Sequence, residues 1–262
     1  MSSINESRVY VVNVDLNADI GESYLTQKVG DDDAIVPLLS SASIACGFHG
    51  GDPLTLSHAL YLAKENGVVV GAHPSFNDRI GFGRRHISIS LEQLHSEIIY
   101  QLGGLSALAQ KTSTSVKYVK AHGALYNTMF TDEDLARAFV IAIGEFDKSL
   151  SILGQPQSAL EFWTAKLGTR FFREGFADRR YNDDGTLVDR SIDGAVIQSV
   201  DEQVQQAVSL ASQGSVRSVL GRQIPMPIDS ICVHGDTPDA SKSTDAICRE
   251  FKRLGIEVEP FC

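Results

Sequence analysis

Ser43-Ile44-Ala45-Cys46-Gly47-Phe48-His49 is a short apolar run that ends in a histidine just before the backbone must turn. Val68-Val69-Val70-Gly71-Ala72-His73, Val116-Lys117-Tyr118-Val119-Lys120-Ala121-His122 and Ile231-Cys232-Val233-His234 repeat the design, so four of the seven histidines share one kind of position. Buried strands of a parallel sheet read as such runs. In α/β folds the ligand lies beyond the carboxyl ends of those strands. The four histidines are therefore expected to meet on one rim, which is how a site is built rather than a core.

Outward from these runs, strand-like and helix-like segments alternate along the chain, the signature of a parallel sheet with crossover helices. Val9 to Leu16 reads as the first strand and Asp32 to Ser40 as a short helix. Asp52 is a natural N-cap before Pro53, and Leu56, Ala59, Leu60 and Ala63 give the following helix its apolar stripe. Ser90 with Gln93 forms a capping-box start to a long helix that carries Leu91, Leu94, Ile98, Leu102, Leu105 and Leu108. Thr131 is expected to cap a helix with Leu135, Phe139 and Ile143. Strands at Ser149 to Leu153, Thr169 to Glu174 and Ser230 to Val233, with helices at Ser158 to Leu167, Asp201 to Gln213 and Ala240 to Leu254, complete about seven strand–helix units. That number closes most naturally into a single α/β barrel domain over residues 1–262, TIM-like, with its chemistry at the strands' C-terminal ends. An open doubly wound sheet is the alternative. Between Gly175 and Gly194 a polar segment with Asp178, Arg179, Arg180, Tyr181 and Arg190 is long enough to be read as a functional loop.

Composition limits the partners. Lys and Arg number 23 against 33 Asp and Glu, a net charge of −10, and no basic cluster relieves it. Nucleic acid and anionic membranes are thus unfavourable partners. Met1 to Arg8 lacks the apolar core of a signal peptide, and no run is long enough to span a bilayer, so a cytoplasmic chain is expected. Cys46 and Cys232 lie inside apolar runs and read as buried thiols.

The first strand ends in Asp15-Leu16-Asn17-Ala18-Asp19-Ile20-Gly21-Glu22, and alternation puts Asp15, Asn17 and Asp19 on one face. In a barrel that face is the lumen, where buried carboxylates need a metal, a histidine or a cationic partner. Lys120 shares a strand face with His122 and needs an anion: Asp15, Asp19, Glu22 or, as the reading favoured here, a substrate. No phosphate loop, Gly-x-Ser-x-Gly elbow or His-Glu-x-x-His occurs. A metal site assembled in space from the scattered histidines and acids stays open.

At these residues the chain resembles the LamB/YcsF family. The resemblance rests on Asp15 to Glu22, Ala45 to Pro53, Gly71 to Phe76, Asp78-Arg79 with Phe82-Gly83-Arg84, Val119 to Asn127, Phe176 to Tyr181 and Val233-His234-Gly235-Asp236. It departs from the family pattern at Ala121, Gly50 and Asp189, which are backbone or packing positions. The resemblance implies a seven-stranded barrel of the glycoside hydrolase/deacetylase type. It further implies ATP-dependent opening of 5-oxo-L-proline, or a related small lactam, to L-glutamate by the A component of a 5-oxoprolinase acting with B and C subunits, with ATP and Mg2+ as cofactors and a homo-oligomer as one possible assembly. In this reading Asp19 or Glu22 activates water, while His49, His73 and Lys120 stabilise developing negative charge. His122 or His234 protonates the leaving nitrogen. Arg79, Arg84 or Arg179 holds the substrate carboxylate, and Asp15, Asn17 and Asn127 complete the binding surface. Two other readings stand beside it: a metal-dependent deacetylase or amidohydrolase using Asp19, His49 and His73 or His122 as ligands, and a non-catalytic lactam-binding component.

Overall fold

The computed structural model describes residues 12–235 and 239–262. The expected strand start at Val9–Val11 and the acid Asp236 lie outside the described residues. The elements run β1 (Val12–Ile20), α1 (Asp32–Ile35) with a 3-10 turn at Val36–Leu38, β2 (Ser41–Ala45), α2 (Pro53–Glu65), β3 (Val69–His73), α3 (Leu91–Lys111) and β4 (Val116–Val119). After them come α4 (Gly123–Thr128), α5 (Glu133–Phe146), β5 (Ser151–Gly154), α6 (Ala159–Leu167), β6 (Phe171–Phe176), α7 (Val200–Gln213), β7 (Ser215–Arg217), β8 (Gln223–Pro225), β9 (Ser230–His234), α8 (Ala240–Leu254) and β10 (Ile256–Val258).

Strands β1, β2, β3, β4, β5, β6 and β9 follow one another side by side, all parallel, and β9 returns to pair with β1 from Asp15↔Ser230 to Asp19↔His234. The sheet is a closed seven-stranded barrel, and the open sheet is ruled out by that last pairing. Strand β10 adds to the first residues of β1, and β7 with β8 makes a separate antiparallel hairpin. Neither these three-residue strands nor α4 was expected, because such short elements carry no readable period.

The helices form where their caps and stripes predict. Asp52 accepts from the backbone N–H groups of Leu54 and Thr55, Pro53 opens α2, and Leu56, Ala59, Leu60 and Ala63 are buried. Ser90 caps α3 through the N–H of Gln93, but the Gln93 side chain turns to Glu97, so only half of the capping box exists. Thr131 is not the cap of α5; Asp132 accepts from the N–H of Leu135 instead, and Leu135, Phe139 and Ile143 face inward as expected. Among the described residues no helix is long and apolar enough to cross a membrane.

Alternation along β1 sends Leu16, Ala18 and Ile20 outward against the helices and Asp15, Asn17 and Asp19 into the lumen, all six buried or nearly so. The lower lumen is filled by Tyr118, whose ring meets that of Phe261 at 4.9 Å, while Phe261 also packs on Phe172 at 4.6 Å. Gly71 is required here: a Cβ on it would sit 2.2 Å from the Tyr118 ring. With its base plugged by aromatics, the barrel is left with polar side chains toward its upper, C-terminal end.

Candidate active site

The site begins as a polar column in the barrel. At its foot Asp15 accepts hydrogen bonds from Ser40 (2.6 Å), Ser41 (2.8 Å) and Ser230. Burial pushes the Asp15 carboxyl up to about 6, against the three hydroxyls that favour its charge. Above it Asn17 donates to Ser230 (2.8 Å) and to Glu174 (3.0 Å). Lys120, 2 % exposed, sits between Asp19 (2.9 Å) and Glu174 (2.8 Å). Burial alone would lower the Lys120 ammonium, but these carboxylates hold it well above its ordinary value. Burial likewise opposes the charge on Asp19, yet His73 and Lys120 beside it keep its carboxyl well below the usual range. The anion that Lys120 requires is thus supplied within the fold by Asp19 and Glu174, not by Asp15 or Glu22.

Three of the strand-end histidines form one cluster on this column. His49 and His122 stack with ring centroids 3.7 Å apart, and His73 meets both edge-on. The outer nitrogen of each ring is committed. His73 Nδ1–H donates to the Lys120 carbonyl (2.8 Å), and His122 Nε2–H donates to the Phe82 carbonyl (2.9 Å). His49 Nδ1 meets Ser75 Oγ at 2.9 Å; because the single Ser75 hydroxyl proton goes to the Phe76 carbonyl (2.9 Å), the histidine is the donor there too. Gln101 of α3 fixes Ser75 by exchanging two hydrogen bonds with its backbone. Phe82 holds the left-handed backbone at φ 54, an uncommon state for an aromatic residue, while its carbonyl binds His122. Gly83 next to it has no room for a side chain, since a Cβ would lie 2.8 Å from His122 and 2.9 Å from His49.

The inner ring nitrogens face carboxylates and one another. His49 Nε2 is 3.0 Å from Glu22 Oε1, and His122 Nδ1 is 3.3 Å from the same oxygen. His73 Nε2 is 2.9 Å from His122 Nδ1 and 3.2 Å from Asp19 Oδ2. Burial, together with neighbouring positive charge, lowers His49 and His122 well below the ordinary histidine value, so both rings are neutral at pH 7. His49, His73, His122 and Glu22 are a set that could hold a metal ion.

A cavity of about 270 Å³ opens over this cluster. Asp19, Glu22, His73, His122 and Lys120 line its floor, Asn127 and Tyr126 come from α4, and Arg84, Arg179, Arg190 and His234 form its walls. The loop after β6 contributes Val188 to Arg190, which gives the long polar segment a place over the barrel mouth. Arg179 is buried and donates to the Val188 carbonyl (2.6 Å), while its Nε finds no acceptor among the described residues. Burial and the neighbouring Arg190 bring its guanidinium down to about 10, so it remains cationic at neutral pH. His234 donates through Nδ1 to both oxygens of Asp178 at 2.8 Å and stacks on Phe176.

Not every residue singled out from sequence reaches the cavity. Asp15 and Asn17 lie beneath it in the lumen, and His49 stands behind His122 and Glu22. Arg79 is turned elsewhere: its guanidinium binds the carbonyls of Gly47 and Gly51 and covers the Tyr24 ring at 3.8 Å. Conversely, residue pattern alone assigns no role to Glu174, Asp178, Ser75 or Tyr126. Tyr126 donates to Glu174 at 2.7 Å, which closes the ring of partners around that carboxylate. An acid at the end of the strand segment Thr169 to Glu174 was the available signal for Glu174.

The LamB/YcsF family model matches residues 14–262 of this sequence. The chain belongs to the LamB/YcsF family. This family member is similar to the A component of the 5-oxoprolinase of Pyrococcus furiosus, with 43% identity over 249 residues covering 95% of this chain and 98% of the relative. The corresponding 5-oxoprolinase component of Campylobacter jejuni is also 43% identical, over 94% of this chain and 96% of its own. Among solved structures, the lactam utilization protein from Thermus thermophilus superposes on it with a TM-score of 0.89 at 39% identity, covering 94% of this chain and 99% of that one. A T48 deacetylase shares the barrel fold alone, at 12% identity and a TM-score of 0.50.

Proposed function

We propose that this LamB/YcsF chain is the A component of a multisubunit 5-oxoprolinase, which converts 5-oxo-L-proline, ATP and two water molecules to L-glutamate, ADP and phosphate together with B and C subunits. The observation that carries the reading is the pairing, in one cavity, of an acid–histidine floor with a wall of arginines that includes the buried Arg179. A five-membered lactam with a ring carboxylate has two matching parts. Its carboxylate suits the Arg84, Arg179 and Arg190 wall, because guanidinium binds carboxylate through two parallel hydrogen bonds. Its amide carbon then lies over the floor, where Glu22 or Asp19 orients the attacking water.

A lactam C–N bond is unreactive, and phosphorylation of the amide oxygen supplies the activation that ATP, with Mg2+, provides. Addition of water gives a tetrahedral species beside Lys120 and His73; when its ring nitrogen takes a proton the C–N bond breaks and leaves γ-glutamyl phosphate, which a second water cleaves to L-glutamate and phosphate. His234, held by Asp178, is well suited to give that proton. The names of the similar proteins support the substrate and the partner subunits.

The test is reconstitution. The purified chain, mixed with the B and C subunits encoded by the same organism, ATP, Mg2+ and 5-oxoproline, is expected to release glutamate in step with ADP. Omitting this chain is expected to stop glutamate formation. Glutamate release at an undiminished rate without it would overturn the assignment.

A further inference from the structure

The hydrogen bonds around the histidine cluster turn three ring nitrogens toward one centre. His49, His73 and His122 each use one ring nitrogen as a donor to a fixed acceptor outside the cluster: Ser75 Oγ, the Lys120 carbonyl and the Phe82 carbonyl. The inner atoms, His49 Nε2, His73 Nε2 and His122 Nδ1, converge on one another and on the Glu22 carboxylate. These four ligand atoms lie within 4.8 Å of one another, and Asp19 Oδ2 adds a further carboxylate oxygen 3.2 Å from His73.

We infer that this centre is a binding site for one divalent first-row transition-metal ion, held by His49 Nε2, His73 Nε2, His122 Nδ1 and the Glu22 carboxylate, with Asp19 at its edge. Three imidazoles and one carboxylate are the donors of zinc and its neighbours, whereas Mg2+ prefers oxygen ligands alone. The outer hydrogen bonds are the arrangement that metal-bound histidines need, because an acceptor on the far nitrogen fixes the tautomer and turns the ring's lone pair inward. Their sources are independent: a strand-end carbonyl at Lys120, a strained carbonyl at Phe82, and a serine clamped from α3 by Gln101. Glu22, His73 and His122 also line the cavity floor, so the ion borders the space where a substrate would sit. There it would polarise a carbonyl or bind the attacking water. The inference rests on ring geometry and stands whether or not the substrate is 5-oxoproline.

The experiment is metal reconstitution of the tag-free full chain. After chelator treatment the protein, with its fold checked by circular dichroism, is titrated with Co2+ alone. One equivalent is expected to bind and to give the intense visible absorption of four- or five-coordinate cobalt. Glu22→Gln and His73→Gln are each expected to weaken uptake by about tenfold to 100-fold, and Ser75→Ala by less, while His95→Ala on the surface leaves it unchanged. Two results would overturn the site: a folded wild-type chain that takes up no cobalt, or uptake with only the weak octahedral spectrum that is indifferent to both Gln variants. Should a ligand variant fail to fold, the wild-type stoichiometry and spectrum decide the matter alone.

Discussion

Nζ of Lys120 and Oε1 of Glu174 lie 2.8 Å apart, and neither side chain is more than 2 % exposed. They come from β4's end and β6, on separate arms of the barrel, so their ion pair ties those arms across the lumen while Asp19 approaches the same ammonium from β1. A pair this deep contributes little net stability when intact, because desolvation offsets the attraction, but breaking one side leaves a buried charge. Glu174→Ala is therefore expected to destabilise the chain by about 3 kcal/mol. Lys120→Ala, which strands two carboxylates, is expected to cost more. Urea unfolding followed through the single tryptophan, Trp163, measures both. A Lys120→Met/Glu174→Gln double variant should recover part of the loss; simple additivity would show that the pair is not coupled.

Asp15 gives the fold a pH dependence of unusual sign. Its folded-state carboxyl is raised to about 6, above the 3.8 of an ordinary aspartate, so between those values the folded state binds more protons than the unfolded. Stability from this group is accordingly present at acidic pH and lost as pH rises through about 6, by roughly 3 kcal/mol in full. In Asp15→Asn the proton is no longer exchanged. The stability difference, wild type minus variant, is expected to fall between pH 4 and pH 7. A flat difference across that range would mean that the three serines already compensate the buried charge.

Arg179 and Arg79 make a matched comparison, since one lines the cavity and the other does not. With the reconstituted activity, Arg179→Met is expected to raise KM for 5-oxoproline and to lower kcat/KM by about 100-fold, as the loss of a charge-assisted pair implies. Arg179→Lys keeps the charge without the planar fork and should recover little. Arg79→Ala instead removes the carbonyl anchors at Gly47 and Gly51, so its effect is expected on thermal stability, with KM changed less than threefold. The reverse pattern would move the carboxylate site to the Arg79 side of the barrel.

The sequence offers both arginines alike as carboxylate partners, and only the fold sets Arg179 at the cavity and Arg79 away from it. The strand ends were legible because a parallel barrel converts a one-dimensional pattern, apolar run then histidine, into a shared rim, and His73 and His122 follow that rule directly. Asp15, Asn17 and Asp19 were legible through simple alternation. Arg79 follows His73 closely in sequence, but the turn between them carries it back over Gly47, and such a reversal has no signature in residue spacing. Glu174 was hidden for a related reason: its partners Asn17, Lys120 and Tyr126 lie far away in the chain, and only closure of the barrel brings them together. Thr131 and Asp132 are both good caps, so sequence chemistry left the α5 start undecided by one residue.

His234 and Asp178 present the last separable contribution. The two carboxylate oxygens take the Nδ1–H of His234 at 2.8 Å, with Asp178 itself buried on the loop after β6. Burial opposes the Asp178 charge, but His234 and the nearby arginines outweigh it and keep the carboxyl below its usual range, so it is anionic at neutral pH. The carboxylate at Nδ1 fixes the tautomer and the orientation of the ring, which a general acid needs. Asp178→Asn keeps the shape and removes the charge. It is expected to lower kcat by roughly 100-fold with KM little changed, in line with general acid–base contributions. His234→Ala should give a loss of similar size, and the double variant should be no worse than either single one, because both act through one proton. If instead the two losses multiply, His234 and Asp178 serve separate functions, and the proton for the ring nitrogen must come from another group lining the cavity.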